Sequence, residues 1–167
     1  MKIFIGRYPR KHDSERTVRV RIDNQDTWAM YHTLSLVIHP MLVKLKEGKN
    51  GSPFVEDVDV PDNLKSTNAG PKENDWDTDE FWHDRWDYVL DEMIWAFTQM
   101  TREDRESQFY SGEVDFNFVK MENSKYSTME YGPNHTFKVD TEKQKQYEDR
   151  IQNGINLFAK YYNCLWS

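Results

Sequence analysis

Between Trp82 and Met100 the large apolar residues return every three or four positions: Trp82, Trp86, Val89, Met93, Phe97 and Met100. At about 100° per residue these six side chains share one stripe of a helix. A stripe holding two Trp and a Phe must be covered by other parts of the chain, so packing against this helix organises the fold. Opposite the stripe stand Glu80, Asp84, Asp87 and Asp91, with no Lys or Arg three or four positions from any of them. Like charges at that spacing cost about 0.2–0.5 kcal/mol per pair. The row therefore predicts a neutralising group from outside the helix: a divalent cation, the basic N-terminal segment, or a basic partner. A start at Asp77 or Thr78 is expected, since either can cap.

Two further segments read as long helices. One runs from Asp26 or Thr27 to about Lys46, ends at Gly48 and Asn50-Gly51, and is expected to kink at Pro40, which removes a helical hydrogen bond. Its apolar side holds Tyr31, Leu34, Ile38, Met41, Leu42 and Leu45, and its other side Trp28, His32, Ser35 and His39. The last helix is predicted from Thr141, whose pairing with Gln144 fits a capping box, nearly to Trp166. Tyr147, Ile151, Ile155, Phe158, Tyr162 and Leu165 form its stripe, with Gly154 at the margin where a close approach is tolerated, and the stripe is expected to serve as core or as the interface of a homo-oligomer.

Alternation marks strands over residues 2–5, 17–22, 112–121 and 136–139, the last two forming an antiparallel pair. Residues 48–78 are rich in Gly, Pro, Asn, Ser and Asp without sustained period, which predicts a long irregular connection. Strands and helices do not alternate as a parallel sheet requires, so the expected class is α+β. Three long helices pack with a small antiparallel sheet in a single domain.

Composition narrows the function. A hydrophobic fraction of 37% is low, but six Trp, nine Tyr and nine Phe supply enough buried area per residue for a core. No apolar run approaches the roughly 20 residues that span a bilayer, and the first residues are too short for a signal-peptide core, so a cytoplasmic location is expected. Cys164 is the only cysteine, which excludes an internal disulfide and a cysteine-based zinc site within one chain. No phosphate-loop, dinucleotide-binding or HExxH pattern occurs, and no cofactor is implied.

Charge is unevenly placed. Residues 1–21 carry seven basic residues against two carboxylates, while residues 56–92 carry thirteen carboxylates against three cations. A net charge of −7 argues against nonspecific nucleic-acid binding by the whole chain, and the basic end remains able to meet a phosphate. The stretch Gly6-Arg7-Tyr8-Pro9-Arg10-Lys11 mixes arginines with an aromatic ring, which suits holding a phosphate and stacking a base. Arg7, Tyr8, Arg19, Arg21, Trp28 and His32 are the candidate ligand-binding residues. Glu80, Asp84, Asp87 and Asp91, flanked by Tyr88 and Trp95, are the candidate partner-binding residues, able to occupy a basic surface.

Two catalytic readings are open on the residue types alone. His83, Asp84, Asp87 and Asp91 have the helical spacing of the ligands in metal-dependent phosphohydrolases. Ser35 with His32 and His39 suggests nucleophilic catalysis only superficially, because no motif supplies an oriented base and oxyanion donors. No residue is assigned a catalytic role.

Residues 18–32 (VRVRIDNQDTWAMYH), 51–54, 74–77, 85–97 (RWDYVLDEMIWAF), 110–113 and 150–166 resemble a group of small uncharacterised proteins encoded by tailed bacteriophages and prophages. The resemblance covers most of the chain from Thr17 onward. It implies a viral origin and expression in the bacterial cytoplasm, and it supplies no catalytic residues. A small viral domain of this kind is expected to work by binding, as a counter-defence or host-takeover protein that sequesters a nucleotide signal or blocks a host or defence protein. A metal-dependent phosphohydrolase and a virion component are the alternatives.

Overall fold

The computed structural model describes residues 1–7, 15–122 and 125–166. Strands β1 (Lys2–Ile5) and β2 (Val18–Arg21) open the chain, followed by a short helix α1 (Asn24–Trp28) and the long helix α2 (Met30–Gly48). Three single 3₁₀ turns lie at Asp57–Asp59, Asp62–Leu64 and Ser66–Asn68 before α3 (Trp82–Met100). Strands β3 (Tyr110–Ser111), β4 (Phe116–Lys120), β5 (Ser127–Tyr131) and β6 (Lys138–Val139) precede α4 (Thr141–Lys160) and a final 3₁₀ turn at Tyr162–Cys164. The class is α+β, with three long helices and small antiparallel sheets. No helix among the described residues is long and apolar enough to cross a membrane.

The core sits between the helices, with α3 at its centre. Trp86, Val89, Leu90 and Met93 are wholly buried against Leu42 of α2, Leu157 of α4, Tyr161, and Val55 and Val60 from the irregular connection. Each such burial contributes roughly 1.5–3 kcal/mol relative to exposure. The predicted stripe of α3 is thus the packed one at Trp86, Val89, Met93 and Phe97, and the helix also buries Leu90 and Ala96 because α2 and α4 cover it from two sides. Gly154 is where α4 crosses closest: a Cβ there would stand 2.5 Å from Ala96 Cβ and 2.7 Å from Glu92 O.

Helix boundaries differ from the expected ones wherever a candidate cap is otherwise engaged. Asp77 accepts from Asn74, and Asp79 accepts from Phe81 N–H and Arg85, so α3 begins at Trp82 rather than Asp77 or Thr78. Asp140, not Thr141, caps α4, its Oδ1 accepting from Lys143 N–H at 3.0 Å. The α4 helix ends at Lys160, so Tyr161 is buried and the expected stripe residue Tyr162 is exposed. Asp26 accepts from Asp23 N–H within a one-turn α1, Ala29 leaves helical geometry, and α2 then continues through Pro40.

The expected side of α2 is also corrected. Ser35 is fully buried, donating to Tyr31 O at 2.6 Å, and the inward face is Ser35, Ile38, Leu42 and Leu45. Tyr31, Leu34 and Met41, expected inside, are exposed.

The antiparallel part is three separate two-stranded ladders: β1 with β2, β3 with β6, and β4 with β5. Residues 116–120 thus pair with 127–131 and not with 136–139 as expected, since the nearer segment closes a shorter loop. Every strand residue is exposed.

Candidate functional site

The acidic row is met from within the chain. Lys46 Nζ lies 2.6 Å from Asp91 Oδ1, and Lys49 Nζ 3.2 Å from Asp87. The two lysines sit one turn apart at the end of α2, where the α2–α3 contact carries them over the row. Glu80 precedes the helix and accepts from Gly70 N–H at 2.8 Å. Asp84, exposed in the first turn of α3, is the one of the four without a hydrogen bond or ion pair among the described residues. The expected outside neutraliser is therefore supplied at Asp87 and Asp91 by lysines at the end of α2.

Trp95 is covered by α4, and Tyr88 packs half-buried against the core. The Trp95 ring meets Tyr147 edge-on at 5.5 Å, and the Arg150 guanidinium lies 3.9 Å from its centroid. Arg150 is held there by a two-point contact to buried Glu92, at 2.7 and 3.0 Å. Such a fork satisfies both carboxylate oxygens while its flat face stays free to stack. Burial, with Glu92 nearby, pushes the half-buried Tyr88 phenol up from its ordinary pKa.

The possible metal ligands do not gather. His83 Nδ1 lies 2.9 Å from Ser52 Oγ, while Asp87 and Asp91 face lysines. Among the described residues no three His, Cys, Asp or Glu side chains converge as a metal site needs. Ser35 is buried in α2 and cannot act as a nucleophile on an external substrate.

The candidate ligand residues divide between two places, and Tyr8 lies outside the described residues. The first place is the β1–β2 ladder. Its register sets Lys2 opposite Arg21 and Phe4 opposite Arg19, so these four side chains share one face. All four are exposed, and among the described residues their only ion pair is a loose one from Arg21 to Asp23 at 3.5 Å, also exposed. Arg7 follows the ladder and is exposed as well. The opposite face holds Ile3, Ile5, Val18 and Val20, which remain 41–58% exposed.

The second place is an open cleft of about 580 Å³ between the start of α2 and residues 100–110, lined by Tyr31, His32, Arg102, Arg105, Glu106 and Tyr110 among others. His32 Nε2 lies 3.3 Å from Thr101 O, and the Arg105 guanidinium sits 5.6 Å from the Tyr31 ring. Tyr110 OH donates to Glu106 at 3.0 Å, which raises the phenol's pKa. Trp28, next to the lining residue Ala29, is 92% exposed. No hydrogen bond or ion pair among the described residues joins Arg19 or Arg21 to Trp28 or His32.

Sequence reasoning missed Lys2 and Phe4 as companions of the arginines. The alternation of residues 2–5 placed them on one side of a strand, but only the register shows whose side that is. It also missed Lys46 and Lys49, whose partners lie in another helix. Neither a family model, nor a curated protein, nor a solved structure matches this chain, so the functional reading rests on geometry and residue chemistry.

Proposed function

We propose that this chain acts by binding a nucleotide signal, in the counter-defence or host-takeover role that its resemblance to proteins of tailed bacteriophages and prophages implies. The observation that carries this reading is the basic face of the β1–β2 ladder. Lys2, Arg19 and Arg21 surround the exposed ring of Phe4, and among the described residues the one carboxylate that meets this face is Asp23, loosely paired with Arg21 at 3.5 Å. Guanidinium and ammonium groups grip a phosphate, while an open aromatic ring and the flat face of an arginine stack on a base. The setting is a chain of net charge −7, where a local cluster of three cations stands out from its surroundings.

The protein-blocking form of the proposal, through the acidic row, has less support. Asp87 and Asp91 already face lysines, and Trp95 is stacked by Arg150. A surface whose charges are matched internally has less to offer a basic partner.

Calorimetric titration with ATP, GTP and cyclic di-GMP tests the nucleotide reading. At least one should bind saturably, and the exposed double substitution Arg19→Glu with Arg21→Glu should weaken it more than tenfold. If inorganic phosphate binds as tightly as every nucleotide, or the double variant binds unchanged, the reading is wrong.

A further inference from the structure

In a chain that is 31% charged, residues 30–43 contain no Asp, Glu, Lys or Arg. They form most of α2, which packs on α3 by one face only, through Ser35, Ile38, Leu42 and Leu45. A helix apolar on more than one side is ordinarily covered on more than one side. Here Met30, Leu34 and Met41 are 56%, 43% and 64% exposed, and Val37 between them is half-buried. At 100° per residue the four share a stripe along one flank of the inward face.

We propose that a second copy of this chain covers this stripe, the two α2 helices crossing antiparallel about a twofold axis between Leu34 and Val37. Three features select that occupant. A twofold interface must be self-complementary, so that when residue i meets residue j, residue j meets residue i. The spacing of Met30, Leu34, Val37 and Met41 is four, three, four, which reads the same in both directions. An antiparallel copy thus sets Met30 against the partner's Met41 and Leu34 against the partner's Val37.

The second feature is charge. Each copy carries −7, and this stripe is a surface on which two copies can meet without opposing carboxylates. The third is the helix dipole: antiparallel pairing sets the positive end of one α2 beside the negative end of the other, whereas parallel pairing sets like ends together. The assembly does not depend on which ligand the ladder binds.

Light scattering coupled to size exclusion, run on the full chain over a range of concentrations, reads the outcome. The wild type should show twice the 20.1 kDa chain mass. Met41→Glu, at an exposed position, should raise the dimer dissociation constant at least tenfold with an unchanged circular dichroism spectrum. Adding Met30→Lys to Met41→Glu should restore the dimer, because the two positions face each other only across an antiparallel interface. Within one helix they are roughly 16 Å apart and cannot compensate each other. A wild type that stays monomeric up to roughly 100 µM overturns the proposal. So does a dimer indifferent to Met41→Glu, which would lie elsewhere, or a double variant that fails to recover, which would exclude this register. Monomers that bind only to lipid vesicles through the stripe would likewise reject a second copy as its occupant.

Discussion

Residues 49–81 contain three isolated 3₁₀ turns and no strand, yet Val55 and Val60 are buried in the core. Buried Arg85 donates to Leu64 O and to Asp79 across this segment, and Tyr161 OH donates to Asp59 at 2.6 Å. Lys160 adds contacts to Asp59 and Glu56 at 2.6 and 2.9 Å. The β1–β2 ladder is the reverse case: a regular backbone pairing over four residue pairs, with no buried side chain on either face. Regular hydrogen bonding satisfies a backbone, but only apolar and ionic contacts to the rest of the chain attach a segment to the fold. A two-stranded ladder is marginal on its own. The irregular connection is part of the core, and the ladder is an appended surface.

The largest effect should come from cutting the connection's buried ion pair. Asp79→Ala leaves the Arg85 guanidinium buried without its carboxylate, a class of change that costs about 3–5 kcal/mol. Urea unfolding should show the midpoint falling accordingly, and a loss below about 1 kcal/mol would mean that the pair does not anchor the segment. Conversely, in the wild type, Arg85's hydrogen bond holds the Asp79 carboxyl below its ordinary range.

An intermediate and pH-dependent effect is expected at Tyr161. Burial, then its hydrogen bond to Asp59, push the phenol up to about 12 from 10.0. A raised folded pKa means that this contribution is complete below pH 10.0 and is lost as pH rises toward about 12. Thermal melts of the wild type should therefore lose stability over that alkaline range, and Tyr161→Phe should lose less. Parallel pH profiles for the two proteins would deny Tyr161 this role.

The smallest effect belongs to the ladder. Val18→Thr with Val20→Thr keeps β-branched residues on an exposed face and should change the stability of the helical core by less than about 0.5 kcal/mol. A loss of several times that, measured by the same urea series, would show that the apolar face of the ladder is attached to the body after all.

Much of the fold was legible in the residues. The 3.6-residue period of Trp86, Val89, Met93 and Phe97 identified the face of α3 that is buried, and the missing Cβ of Gly154 marked the helix crossing. Capping was read less well, because Asp and Thr residues crowd the starts of α3 and α4 and only their actual partners tell a cap from a turn. The candidate site was legible as a set of residue types, cations with an aromatic ring, but not as a surface. Arg19 and Arg21 needed the register of β1 to acquire Lys2 and Phe4 as neighbours.

Class, helix count and the central stripe follow from periods that lie within one element, and a period can be read from residue order. The inward face of α2, the cover over Trp95 and the neutralisation of the acidic row depend on how separate elements dock. Lys46 and Asp91 are 45 positions apart, and Lys49 and Asp87 are 38 apart. Nothing in the local pattern of either helix specifies which residues of the other will arrive there. That choice was made by the packing of α2 and α4 on α3, where burying the most apolar area set the positions to which the charges then conformed.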